Sequence, residues 1–128
     1  MSNQIQNPNN KKKYDLIERT AAFGEKTILF ARSLPEDSVN RTLISQFVRS
    51  GTSVGANYME ADAAESKKDF QHKIGICKKE AKEVLHWLRM IAKANPDQQT
   101  ECRKLWKEAH ELTLIFSTII NNSRKRKK

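Results

Sequence analysis

Apolar residues recur at intervals of three and four over most of this chain, the spacing that puts them on one face of an α-helix. The pattern divides the chain into four amphipathic segments, and residues that favour helix ends separate them. These boundary residues are Pro35, Asp37 or Ser38, Ser66, Asn95 and Pro96. The sequence therefore predicts four helices, over residues 14–34, 37–62, 67–94 and 97–122.

Four long helices joined by short loops favour an all-α fold, namely an antiparallel up-down-up-down four-helix bundle. The 128 residues suffice for one domain of this kind. Gly51 and Gly55 lie about one turn apart in the second predicted helix, which predicts close approach of a neighbouring helix. Cys77 and Cys102 fall on apolar stripes, so we expect buried, reduced thiols rather than nucleophiles.

The chain is basic, with 24 Lys and Arg residues against 15 Asp and Glu residues and a net charge of +9. Eight of these charges come from residues 11–13 and 124–128, two stretches without acids. The sequence predicts a disordered basic N-terminal arm over residues 1–13 and a basic C-terminal tail over residues 123–128. Because it has no long apolar run and a polar start, we expect a cytoplasmic protein without a membrane span.

The third predicted helix is the basic one of the four, with eight cations and three acids for a net charge of +5, while the other three are neutral or acidic. At 100° per residue, part of this set forms a ridge about 39 Å long, comparable with one turn of duplex nucleic acid. This basic ridge consists of Lys67, Lys78, Lys82, Arg89 and Lys93. With Arg124, Lys125 and Arg126 of the tail, it is the candidate contact surface for RNA or DNA. A solvated lysine surface without a ligand is the alternative.

Ile76, Trp87 and Met90 lie away from the predicted core face of the third helix, and Trp106 and Leu114 are likewise off the main stripe of the fourth. We call these five residues the second apolar stripe. Tryptophan at such positions is enriched at the centres of protein interfaces. We expect self-association through this stripe, and a broad intramolecular core is the alternative interpretation.

Residues suited to catalysis or metal binding are sparse. Glu83 and His86 form one Glu-x-x-His pair, whereas di-iron bundles use two such pairs and two further glutamates, all facing inward. This pair lies off the predicted core face. The chain has no glycine-rich phosphate loop and no Cys-x-x-Cys motif. The sequence predicts no enzyme, no metal and no cofactor, with a metal-dependent bundle enzyme as the remaining alternative.

Polar side chains follow the edge of the apolar stripe on the second predicted helix. They are Arg49, Ser50, Ser53, Asn57 and Glu60. Half-buried polar groups must be hydrogen-bonded. The strip is interpreted either as a network of hydrogen bonds to other helices or as a ligand or partner site.

Three runs of residues carry a family resemblance: 49–61 (RSGTSVGANYMEA), 66–70 (SKKDF) and 79–88 (KEAKEVLHWL). In their order and spacing they resemble the 23S rRNA intervening-sequence proteins, a bacterial family, over about residues 14–120. The resemblance implies a four-helix bundle, a barrel-like homopentamer and no known catalytic activity. It also implies similarity to accessory proteins of diversity-generating retroelements, which bind nucleic acid and a reverse transcriptase. The matching signature residues are Arg49, Ser50, Ser53, Asn57, Glu60, Glu80, Glu83 and Trp87.

The predicted function is that of a cytoplasmic, non-catalytic, oligomeric bundle that binds RNA or DNA through the basic ridge and the two basic termini. The alternative is a protein-interaction scaffold without direct nucleic-acid contact. Its partner would then be a reverse transcriptase or a ribosomal component. Neither prediction involves a membrane.

Overall fold

The computed structural model describes the backbone of residues 8–125 and the side chains of residues 16–125. Four α-helices make up this part of the chain, and no strand occurs within it. They are α1 (Pro8–Ser33), α2 (Ser38–Asp62), α3 (Lys67–Ala94) and α4 (Gln99–Lys125), with a single 3₁₀ turn, Pro96–Gln98, before α4. The predicted all-α class and the four-helix bundle are confirmed.

The helix boundaries follow the predicted capping residues. The Asp37 carboxylate accepts a hydrogen bond from the Asn40 backbone N–H at 2.8 Å, and the Ser66 hydroxyl accepts one from the Asp69 N–H at 2.9 Å. Each bond satisfies a backbone donor that has no partner within the first turn. Sequence reasoning therefore located the starts of α2 and α3 to within a residue.

The outer ends of α1 and α4 differ from the prediction. Helix α1 begins at Pro8 rather than near residue 14, and α4 ends at Lys125 rather than near residue 122. Proline suits the first helical turn, and lysine and arginine are good helix formers, so basic composition alone did not end either helix. Residues 8–13 and 123–125, which the sequence assigned to the arm and the tail, are helical. The rest of both segments, residues 1–7 and 126–128, lies outside the described residues.

The hydrophobic core draws on all four helices. Its largest fully buried side chains are Phe23, Phe47, Phe116, Ile74, Leu88, Ile91 and Leu112. Helix α3 packs against both α2 and α4, while α1 packs mainly against α2. The predicted burial of both cysteines is confirmed, and burial raises the pKa of Cys77 to about 12 and that of Cys102 to about 11. Both thiols are therefore protonated at neutral pH.

The two glycines of α2 face α1, as their spacing predicts. A Cβ atom added at Gly51 would lie 2.7 Å from Thr27 Oγ1, and one added at Gly55 would lie 3.3 Å from the Thr20 carbonyl oxygen. Thr20 and Thr27 turn their hydroxyls back onto their own helix, where each donates to the carbonyl four residues earlier. Small residues thus allow α1 and α2 to approach closely.

Candidate nucleic-acid interface

The two mid-helix acids of α3 face α2, where Arg49 holds both of them. Its Nη1 lies 3.3 Å from Glu80 Oε1, and its Nη2 lies 2.6 Å from Glu83 Oε2. The Trp87 indole N–H donates to the same Glu83 oxygen at 3.0 Å. These hydrogen bonds, from Trp87 and then Arg49, lower the pKa of Glu83, and the bond to Glu83 raises the pKa of Arg49. Both carboxylates are therefore held on the α2 side of the helix by one arginine.

The mid-helix acids of α4 are bound in the same way by α1. Arg19 donates from Nε to Glu108 Oε2 at 2.7 Å and from Nη2 to Glu108 Oε1 at 2.9 Å, and it also contacts Glu111. Such a two-pronged pair is the strong form of an arginine–carboxylate contact. The hydrogen bond from Arg19 lowers the pKa of Glu108. Helices α3 and α4 thus turn their acids towards α2 and α1.

The basic ridge lies on the side of α3 that borders α4. Lys67 lines a groove with Phe70 and Ile119, and Arg89 lines a second groove with α4 residues near the other end of the helix. Within the part of the chain that the structure describes, Lys78, Lys82, Arg89 and Lys93 form no ion pair. Their charges are therefore available to a ligand.

The tail residues of the predicted contact surface are only partly described. Arg124 and Lys125 are exposed in the last turn of α4. Cations there are favoured by the helix dipole, whose negative end is at the C-terminus. Arg126 lies outside the described residues.

Helix α4 adds two cationic or aromatic groups that sequence reasoning did not assign to this surface. Arg103 lines the same groove as Arg89, and the Trp106 indole forms part of its wall. His110 stacks on Trp106 with ring centroids 5.0 Å apart and ring planes 20° apart. The intervals from Arg103 to Trp106 and from Trp106 to His110 are three and four residues, which was a usable signal.

The polar strip of α2 is mostly bonded within its own helix. Ser50, Ser53 and Asn57 each donate to a backbone carbonyl of α2. Only Arg49 and Glu60 reach α3, the latter through a 2.6 Å contact with Lys73 Nζ. The interpretation of the strip as a hydrogen-bond network between helices therefore applies to those two residues, while the other three satisfy backbone groups locally.

The predicted second apolar stripe separates into two environments. Ile76, Trp87 and Met90 are half-buried, and Trp87 packs against the core cluster. Trp106 and Leu114 are exposed, with 39% and 53% of their surface accessible. Four further large hydrophobic side chains are exposed that the sequence did not single out, namely Ile28, Leu29, Val39 and Met59.

The Glu83–His86 pair is not part of a metal-binding cluster in the described residues. Arg49 and Trp87 both bind Glu83, so this carboxylate has a structural role between α2 and α3. Among residues 16–125 there is no group of three or more His, Cys, Asp or Glu side chains placed to hold a metal ion. None of the described helices combines the length and apolar character needed to cross a bilayer.

Comparison with known proteins identifies the family. A solved structure, described as a protein of unknown function from the S23 ribosomal protein family of Bacteroides thetaiotaomicron VPI-5482, matches with a TM-score of 0.72. The two chains are 28% identical, and the match covers 81% of this chain and 96% of that one. No curated protein matches this sequence. The family model described as 23S rRNA-intervening sequence protein matches residues 12–118, most of the chain. This protein therefore belongs to the 23S rRNA-intervening sequence protein family, as its residues 49–61, 66–70 and 79–88 predicted.

Proposed function

We propose that this protein is a non-catalytic, oligomeric, nucleic-acid-binding bundle whose α3–α4 face contacts the phosphate backbone of RNA or DNA. The observation that carries the proposal is the separation of charge on α3 and α4. Their mid-helix acids bind Arg49 and Arg19 on the neighbouring helices, whereas Lys78, Lys82 and Arg89 form no ion pair with any described residue. A surface that is cationic after internal pairing attracts a polyanion.

Binding at this face would be driven by the release of counterions from the phosphates. The ridge presents cationic side chains at several turns of one helix. The two acids between Lys78 and Lys93 are Glu80 and Glu83, and Arg49 binds both of them. Contacts of this kind position a nucleic acid but read little of its sequence. We therefore expect weak sequence preference and steep dependence on salt.

The proposed helix arrangement is antiparallel, up-down-up-down. Contacts between α2 and α3 support it, because Asn40 pairs with Asn95 near one end and Glu60 with Lys73 near the other. The residue number of the α3 partner falls as the residue number along α2 rises, which is the order expected for antiparallel helices. In such a bundle α1 and α3 begin, and α4 ends, at the same end. Both basic terminal segments would therefore lie near the Lys67 end of the basic ridge.

The proposed assembly is a homo-oligomer, with a pentamer implied by the family resemblance. Exposed apolar side chains support association, above all Leu29, with 68% of its surface accessible, and Val39, Met59 and Leu114. Repeating a modest cationic face around an oligomer would raise its avidity for one long polyanion. We place the protein in the cytoplasm, with no membrane partner.

A protein-interaction scaffold is the second candidate function, favoured by those same exposed apolar residues. Its partner would be a reverse transcriptase or a ribosomal protein, bound without nucleic acid. The absorbance ratio at 260 and 280 nm of protein purified at low salt separates the two functions. Copurified nucleic acid supports the first candidate, whereas a clean protein spectrum together with no binding to added RNA supports the scaffold.

Charge reversal on the ridge tests the proposed function directly. The variant Lys78→Glu, Lys82→Glu, Arg89→Glu should lose affinity for RNA, and its slope of log K against log salt should flatten by up to about 3. The matched control reverses three exposed cations of α1 and α2, Lys26, Arg32 and Arg41, and so changes the net charge equally. Helical content by circular dichroism should stay the same in both variants.

Equal losses in the two variants would contradict a localised interface, because net charge alone would then explain binding. Unchanged binding in the ridge variant would assign the contact to the terminal segments instead. Truncation after residue 123 together with Lys11→Ser, Lys12→Ser and Lys13→Ser would then be expected to abolish binding.

A further inference from the structure

A groove of about 280 Å³ runs between α3 and α4 at one end of the basic ridge. Its lining combines apolar side chains, one aromatic ring and two guanidinium groups, with no carboxylate among them. The lining residues are Leu88, Arg89, Ala92, Gln99, Cys102, Arg103 and Trp106. Binding sites for drug-sized ligands begin at about 300 Å³, so this space suits one flat ring rather than a large molecule.

Among the aromatic side chains of residues 16–125, Trp106 is unusual because it stays exposed while its ring plane is held. His110, one turn along α4, stacks on the indole, and 39% of the Trp106 surface remains accessible. Trp87, in contrast, is half-buried and donates its N–H to Glu83. An indole that is oriented in advance and still accessible loses little conformational entropy when another ring stacks on it.

The two arginines give the groove its charge. Arg89 and Arg103 are both exposed, and neither forms an ion pair within residues 16–125. Guanidinium groups bind phosphate in a two-pronged geometry and also stack on flat rings. Cations beside an accessible aromatic ring are the recurring arrangement of single-strand binding surfaces, in which the ring stacks a base and the cations hold the backbone.

We propose that this groove binds one unpaired base of single-stranded RNA or DNA, stacked on Trp106, with the flanking phosphates held by Arg89 and Arg103. The inference rests on the proposed nucleic-acid binding and adds a preference for unpaired strands. A duplex hides the faces of its bases, so it can use the ridge but not the indole. A second copy of this chain is the competing occupant, but it would have to bring acids to both arginines.

The test uses Trp106 as its own reporter. In a Trp87→Phe protein, the only remaining tryptophan is Trp106. Adding oligothymidylate should quench its fluorescence, and a duplex of the same length should quench it much less. For the remaining variants, made with Trp87 in place, affinity is read from the fluorescence anisotropy of dye-labelled oligothymidylate, and Trp106→Ala should weaken binding by about 5- to 150-fold, the range expected for one lost base stack. Trp106→Phe should retain most of the affinity, and Ile28→Ala, which removes an exposed apolar side chain on α1, should retain all of it.

A Lys78→Glu, Lys82→Glu variant separates failure of this inference from failure of the proposed function, because neither lysine lines the groove. If this variant loses affinity while Trp106→Ala binds oligothymidylate as tightly as the parent, the base site is refuted and the ridge stands. If neither variant loses affinity, both proposals fall. If Trp106→Ala reduces the mass measured by light scattering, the indole belongs to a contact between copies, and the base site is again refuted.

Discussion

The close approach of α1 and α2 can be tested with two glycine-to-alanine substitutions in helix interiors, Gly51→Ala and Gly75→Ala. Alanine favours a helix over glycine by about 1 kcal/mol at either position. Around Gly75 nothing lies within 4 Å of an added Cβ atom, so the full gain should appear there. Around Gly51 the same atom would lie 2.7 Å from both Cγ2 and Oγ1 of Thr27 and 3.1 Å from its Cβ.

Thr27 cannot easily move away from that methyl group. It is fully buried, its side chain is branched at Cβ, and its hydroxyl donates to the Phe23 carbonyl at 2.9 Å. Forcing an extra methyl group into a packed site costs about 1 to 3 kcal/mol. Gly51→Ala should therefore have a free energy of unfolding about 1 to 3 kcal/mol below that of Gly75→Ala. For a domain of this size that difference corresponds to about 4 to 12 °C in Tm.

Denaturant unfolding followed by circular dichroism measures both variants at one protein concentration, because association would itself stabilise the fold. Adding Thr27→Ser to Gly51→Ala removes the Cγ2 atom that the new methyl group would strike. The double variant should recover part of the lost stability, and a double-mutant cycle should show this as a favourable coupling energy. If Gly51→Ala proves as stable as Gly75→Ala, the reasoning about helix approach is wrong.

Two further predictions concern polar contacts between helices. Asn40 and Asn95 exchange two side-chain hydrogen bonds at 3.0 and 2.9 Å in the buried interior, so Asn95→Ala should lower the free energy of unfolding by about 1 to 3 kcal/mol, the cost of an unsatisfied polar group. Unfolding curves of the two single variants and the double variant check this, and strictly additive losses would contradict the pairing. The second prediction concerns pH. Because Arg19 lowers the pKa of Glu108 below its usual value of 4.5, that pair stabilises the fold above this pH and loses its effect as the pH falls through the folded pKa. The stability difference between the parent and Arg19→Met should therefore shrink as the pH is lowered from about 6 to about 3, and a constant difference would refute the pair's contribution.

Much of the fold could be predicted because helix periodicity is a local property. The spacing of Phe70, Ile74 and Cys77 placed them on one face before any partner helix was known, and Asp37 and Ser66 marked helix starts within a few residues of sequence. The outer helix ends were less predictable. The lysine run at residues 11–13 suits a solvated arm as well as a helix, so the prediction of a disordered arm passed over the proline at which α1 begins.

The candidate site was predictable only in part, for the same reason. A helical wheel aligned the basic ridge, but it treated Trp87 and Trp106 alike, as apolar residues off the core stripes. Packing separates them, because Trp87 packs against the core and donates to Glu83, whereas Trp106 lies beside Arg89 in a groove that two helices form. No spacing within one helix could indicate that groove.

Sequence periodicity and composition were thus sufficient for the four helices, their core faces and the cationic face of α3, since each depends on residues within a few turns of one another. The tertiary structure decided which of the charges remain available. Arg49 meets Glu80 across 31 residues of chain and Arg19 meets Glu108 across 89, so those acids gain their arginine partners only once the helices dock. Docking leaves Lys78, Lys82 and Arg89 without a described ion-pair partner, because side-chain pairing between helices depends on their packing and not on local sequence.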